Sequence, residues 1–244
     1  LKFGKLNIIL GGRQDWYNYD ALSYSRSHSA TSTSAWKAGT RQHPSDNKFT
    51  WRAGFMYNFD FGLVPYFSYA TSFIPQVGFF DANGQAAKPL TGKQFEAGLK
   101  YLIPKTDILL TAAAYHIKEN HYQITDADNP GYTTDAGTVT SKGVELSAHA
   151  NITKNIHIVA SYSYTDARYT KTNLTTRQIY TNGYTISRGA DISQEGKYVQ
   201  SVPRNMASIF VDYSLPSEAL KGFGVNGGVR YVGFTYNDAA NSFK

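Results

Sequence analysis

Lys93-Gln94-Phe95-Glu96-Ala97-Gly98-Leu99-Lys100-Tyr101-Leu102 is the plainest stretch of this chain. In an extended backbone Phe95, Ala97, Leu99 and Tyr101 fall on one side, and Gln94, Glu96, Gly98 and Lys100 on the other. Charges recurring on the second face would be costly against lipid and are natural facing a wet lumen. The same period of two runs outward in both directions and predicts nine strands. They cover Lys5–Tyr19, Phe49–Asn58, Leu63–Ser72, Lys93–Leu102, Ile108–Glu119, Val139–Asn151, Ile156–Tyr169, Val202–Ser214 and Phe223–Tyr236. In the second, Trp51, Ala53, Phe55 and Tyr57 oppose Thr50, Arg52 and Gly54. In the sixth, Val144, Leu146, Ala148 and Ala150 oppose Glu145, Ser147 and His149.

The connections alternate in length. Long polar segments occupy Asp20–Lys48, Ile74–Leu90, Asn120–Thr138 and Lys171–Ser201, while Phe59–Gly62, Pro104–Asp107, Ile152–Asn155 and Pro216–Gly222 are short. A strand ladder with long loops on one edge and short turns on the other is the pattern of an outer-membrane β-barrel. The predicted fold class is therefore all-β, an antiparallel transmembrane β-barrel segment. Tyr and Trp near strand ends (Trp51, Tyr57, Tyr69, Tyr101, Tyr213) suit interfacial girdles.

Composition agrees. The 244 residues have 41% apolar content and a mean hydropathy of −0.40, yet 15% are aromatic, with 19 Tyr. A barrel reconciles these values because only alternate strand residues face lipid. No apolar run approaches the roughly 18 residues of a spanning helix; the longest, Ile108–Tyr115, is interrupted by Thr111. The absence of Cys excludes a disulfide framework and a Cys-built metal site. The charge of +6 is scattered rather than clustered, which argues against a nucleic-acid partner.

Isolated motifs fail on context. Gly222–Gly227 matches a dinucleotide fingerprint, but a turn leads into it and an alternating strand follows, where a helix is required. Asp126–Gly131 starts like a calcium loop, with Pro130 at its fifth position and Gly137 in place of the bidentate Glu. His116 and His121 stand five apart, on opposite faces of an extended strand. His149 and His157 read as lumen-lining polar groups. No nucleophile elbow, phosphate loop or zinc-protease helix is present, so no enzyme activity is expected.

The strands also carry a resemblance. Gly92-Lys93-Gln94-Phe95-Glu96-Ala97-Gly98-Leu99-Lys100-Tyr101 resembles a strand typical of TonB-dependent siderophore receptors. Gly143-Val144-Glu145-Leu146 through Ala160-Ser161-Tyr162-Ser163-Tyr164-Thr165-Asp166-Ala167 is similar to a hairpin of the same receptors. Val202-Pro203-Arg204-Asn205-Met206-Ala207-Ser208 and Gly228-Val229-Arg230-Tyr231-Val232-Gly233 follow in the same order. The resemblance covers nearly the whole chain and is closest to the ferrichrome and ferrioxamine receptors.

It implies a bacterial outer-membrane location and a barrel of about 22 strands around an N-terminal plug. It also implies import of a ferric hydroxamate siderophore, driven by the TonB complex through a motif ahead of the plug. The partners implied are the siderophore, TonB and outer-membrane lipid. The iron chelate is the transported ligand, and no cofactor or metal site of the protein's own is implied. Residues 1–244 are expected to be a partial barrel domain, roughly strands eleven to nineteen of the parent, without plug, TonB-contact segment or terminal strands. Ligand-binding candidates lie at the outer ends of the third to fifth strands and in their loops: Phe73, Gln76, Phe79, Phe80, Tyr122 and Tyr132. Two other readings stay open. A general porin would share the barrel but need no plug, and a surface-attached β-domain would extract without detergent.

Overall fold

The computed structural model describes residues 1–22, 24–26, 34–39, 41–126, 129, 131–172, 174–181, 186–217, 220 and 222–243. Among them there are sixteen strands. Ten form one antiparallel sheet: β1 (Lys2–Phe3), β2 (Leu6–Asn18), β5 (Ser45–Tyr57), β6 (Leu63–Ile74), β7 (Leu90–Leu102), β8 (Asp107–Asn120), β11 (Thr138–Thr153), β12 (Ile156–Lys171), β15 (Asn205–Ser214) and β16 (Gly224–Val232). Each pairs with its neighbour in chain order, and the two ends of the sheet are not joined to each other. Three short hairpins stand in the long connections: β3 (Tyr24–Ser25) with β4 (Lys37–Ala38), β9 (Gln123–Thr125) with β10 (Thr133–Asp135), and β13 (Thr175–Thr181) with β14 (Ile186–Ser193).

Nine sheet strands were expected, and the tenth is β1, two residues that fold back on Leu6–Asn7. The long connections read as polar loops contain the hairpins, whose composition hides their alternation. The strand expected from Val202 starts at Asn205, because Pro203 has no N–H for the ladder. The last strand ends at Val232, where Tyr236 was expected. There the Gly233 N–H donates to the Asn205 carbonyl at 2.8 Å, and Tyr236 leaves the ladder to stack on Tyr198.

The register separates two chemistries. On one face the rows run Leu99, Ala112, Leu146, Tyr162, Ala207, Tyr231 and Tyr101, Leu110, Ala148, Ala160, Ile209, Val229. The opposite face carries Lys100, Thr111, Ser147, Ser161, Ser208 and Arg230 in one row. On strands flanked on both sides, Leu99 is 47% and Leu146 49% exposed, a continuous apolar surface suited to a non-aqueous medium. Aromatic rings tie neighbouring strands on the apolar face: Trp51 to Tyr69 at 4.8 Å, Tyr69 to Phe95 at 4.7 Å, and Phe55 to Phe67 at 5.9 Å. Tyr57, Phe59 and Phe61 continue the belt at the short turns, with ring centroids 4.8 and 5.2 Å apart.

About 9–11 residues of tilted strand cross a membrane, whereas β11 and β12 have 16 each. The surplus lies at the long-loop end. There the apolar face turns polar in consecutive rows, to His116, Lys142 and Asp166, then Lys93, Lys118, Thr140 and Arg168. These charges mark the edge of the hydrocarbon and place the long loops beyond it.

The short turns are closed tightly, as in Phe59 N–H to the Leu63 carbonyl at 2.9 Å and Ile103 N–H to the Ile108 carbonyl at 3.0 Å. With the long loops outside, a tag inserted near Ser34 of the full-length protein should bind antibody on intact cells, and one near Lys105 should not. The reverse labelling would invert this topology.

Candidate functional site

The polar ends of the strands carry four long loops; hydrogen bonds lace the first three together, and a small apolar core joins the third to the fourth. Phe79–Ala87 forms a miniature hairpin: Phe80 bridges Ala86, and the Ala87 N–H donates to the Phe79 carbonyl at 2.9 Å. Its tip is shaped by Asp81, whose Oδ1 accepts from the N–H groups of Asn83 (2.9 Å) and Gln85 (2.7 Å). This is the local preference of an Asp-x-Asn-Gly run, with Gly84 at φ +74°.

One edge of this hairpin meets the loop after β2, where the Gln42 side chain donates to the Gly84 carbonyl and accepts from the Ala86 N–H (3.0 Å). On the other edge the Phe80 carbonyl accepts from the Thr133 N–H (2.8 Å) and hydroxyl (3.3 Å). Gln76 anchors the hairpin's base. Its Nε2 donates to the Lys88 and His121 carbonyls, both at 2.8 Å. Two His–Asp pairs close loop bases: His43 Nδ1 lies 2.5 Å from Asp20 Oδ1, and His121 Nδ1 2.8 Å from Asp135 Oδ2.

A small core sits where β11 and β12 leave the membrane zone. Ala136, Val139, Ala167, Tyr169 and Val199 are buried together, with Tyr122, Ile124, Leu174 and Val202 against them. Burial, reinforced by nearby Glu119, raises the Tyr122 phenol above its ordinary value. Beside this core Arg168 lies 3.9 Å and Arg204 4.8 Å over the Tyr198 ring, while Tyr198 stacks on Tyr236 at 5.6 Å. Arg204 also donates to the Tyr164 hydroxyl at 2.8 Å, the main cause of its raised pKa.

The six residues singled out in the sequence occupy different roles here. Phe73 is 3% exposed and packs on Tyr17 at 5.8 Å, beneath the rim. Gln76 spends its amide donor on backbone carbonyls. Tyr122 packs, partly buried, against the small core. Phe80 and Tyr132 are half-buried, and Phe79 is 45% exposed. The hairpin bonds bring Phe79 and Phe80 alongside Thr133, the residue after Tyr132. Sequence reasoning missed Gln42, Thr133 and the Arg168–Tyr198–Arg204 stack. Arg204 stands in a family-like motif and, like Arg168, on an expected strand; Gln42, Thr133 and Tyr198 carry no periodic signal. His121 leaves the β8 ladder at φ +62°, so the strand geometry assumed for it ends at Asn120. Among the described residues no group of three or more His, Cys, Asp or Glu side chains is placed to hold a metal ion.

Comparison with known proteins is consistent across the chain. The family model for TonB-dependent receptor-like β-barrels matches residues 1–244. The ferrichrome outer-membrane transporter and phage receptor of Escherichia coli is 34% identical over 100% of this chain and 28% of its own length. The ferrioxamine B receptor of Salmonella typhimurium is 31% identical over 99% of this chain and 30% of its own. This chain thus spans about three-tenths of the length of these curated relatives. Among solved structures, the siderophore receptor PiuA of Acinetobacter baumannii superposes with a TM-score of 0.67 at 24% identity, covering 97% of this chain and 32% of that one. The ferric yersiniabactin receptor FyuA of Yersinia pestis does so at 0.67 and 16%, covering 97% and 33%. At these identities the two structures bear on the fold.

Proposed function

Because this chain belongs to the TonB-dependent receptor-like β-barrel family, we propose that it forms part of the wall and rim of a bacterial outer-membrane receptor importing a ferric hydroxamate siderophore. The observation that carries the ligand class is the 34% and 31% identity to receptors named for ferrichrome and ferrioxamine B. The rim agrees with this reading. It presents an exposed Phe79 on a hairpin held by its neighbours, the kind of surface that encloses an amphipathic chelate with few orienting polar contacts. The iron enters as cargo within its chelator. No bond of the substrate is made or broken, and no cofactor is required. We assign the edge of β2 beyond its short pairing with β1, and the outer edge of β16, to further barrel strands of the longer protein, and the polar face to a plug domain whose N-terminal side meets TonB.

The test uses the full-length parent in a strain lacking other siderophore receptors. Ferric ferrichrome or ferrioxamine B should support growth only with the parent and only with TonB. Binding should lie in the nanomolar range, about −12 kcal/mol, and quench aromatic fluorescence. Phe79→Ala/Phe80→Ala should weaken uptake, and Leu99→Ala on the lipid face should not. Equal growth with and without the parent would sink the assignment.

A further inference from the structure

We propose that Gln42 is a positioning residue, holding the Phe79–Phe80 hairpin in the orientation that meets the ligand. The inference rests on the receptor reading above and adds a residue of a different loop to the site.

A nine-residue hairpin has few bonds of its own, and an isolated two-stranded ribbon is marginal in water. Its conformation must come from its flanks. Gln42 is suited to supply it. Its backbone makes both hydrogen bonds of a bridge with Ala21, N–H to carbonyl in each direction, at 2.9 and 2.8 Å. Ala21 is itself buried. With the backbone fixed, the carboxamide is presented as one acceptor and one donor. It takes the Ala86 N–H and the Gly84 carbonyl, which face away from the hairpin's own partners. The amide thus replaces the peptide group of an absent neighbouring strand. Thr133 does the same on the opposite edge through the Phe80 carbonyl. Held on both edges, the hairpin loses little freedom when a chelate settles on Phe79, which removes an ordering cost from binding.

The experiment uses the full-length receptor with ferric ferrichrome and ferric ferrioxamine B. Gln42→Ala should weaken binding about tenfold, the scale of two lost hydrogen bonds. It should also speed hydrogen exchange at the Ala86 amide while leaving that of Leu99 in β7 unchanged. Gln42→Glu, which keeps the acceptor for the Ala86 N–H but sets a carboxylate against the Gly84 carbonyl, should also weaken binding while leaving the Ala86 amide better protected than alanine does. In a Phe79→Ala/Phe80→Ala background Gln42→Ala should add nothing, since its effect passes through those rings. Retained heat-modifiable mobility would establish that the variants fold. Unchanged exchange at Ala86, or penalties that add in full, would overturn the proposal. A wild-type receptor that binds neither chelate would instead remove the ligand assignment, leaving Ala86 exchange to judge the clamp.

Discussion

Leu146→Lys in the full-length receptor should lower barrel stability by about 2–4 kcal/mol, the cost of a cation on the lipid face near the bilayer midplane. Ser147→Lys, one residue along the same strand, should change stability far less. Leu146 stands opposite Ala112 and Tyr162, half-exposed within the apolar face. Ser147 stands opposite Thr111 and Ser161 in the row that already holds Lys100 and Arg230. A side chain there meets a wet lumen wall. The measurement is the urea midpoint of folded, heat-modifiable protein in lipid vesicles. Equal losses at both positions would mean that the two faces are assigned the wrong way round.

Gly143→Val should be comparably severe for a different reason. On the polar face Tyr115 lies across Gly143, its hydroxyl 2.9 Å from the Thr165 hydroxyl on the next strand. A Cβ at position 143 would stand 2.4 Å from that Tyr115 oxygen and 2.4 Å from the Tyr164 carbonyl. The tyrosine ring can swing away, but the carbonyl belongs to the ladder between β11 and β12. Overpacking against a fixed backbone costs about 1–3 kcal/mol, and the branched side chain adds to the displacement. The double variant Gly143→Val/Tyr115→Ala should therefore remain destabilised. Recovery of the wild-type midpoint in that double variant would place the whole clash on the ring and contradict the role of the carbonyl.

These two positions also show why the barrel was readable from the chain while the rim was not. Leu146 and Ser147 differ in fate because side chains alternate across an extended strand, and that alternation is written in consecutive residues. The same rule located the sheet strands to within a few residues, and the alternation of long and short connections set the edge from which the long loops project. Where it erred, the cause was local chemistry, as at Pro203, or a distant ring, as where Tyr198 draws Tyr236 out of the last strand.

The rim follows no such rule. Gln42 meets Gly84 and Ala86 across 42 and 44 residues of chain. Gln76 reaches His121 across 45, and Phe80 meets Thr133 across 53. Nothing in the spacing of these residues announces a contact, because polar loop residues satisfy one another wherever the strand ends bring them. Phe73 and Phe79 read alike as aromatic candidates, yet one is buried beneath the rim and the other exposed upon it. Periodicity settles which face a residue takes. Proximity among the loops is settled by the order of strands in the sheet, which sets ends far apart in sequence side by side.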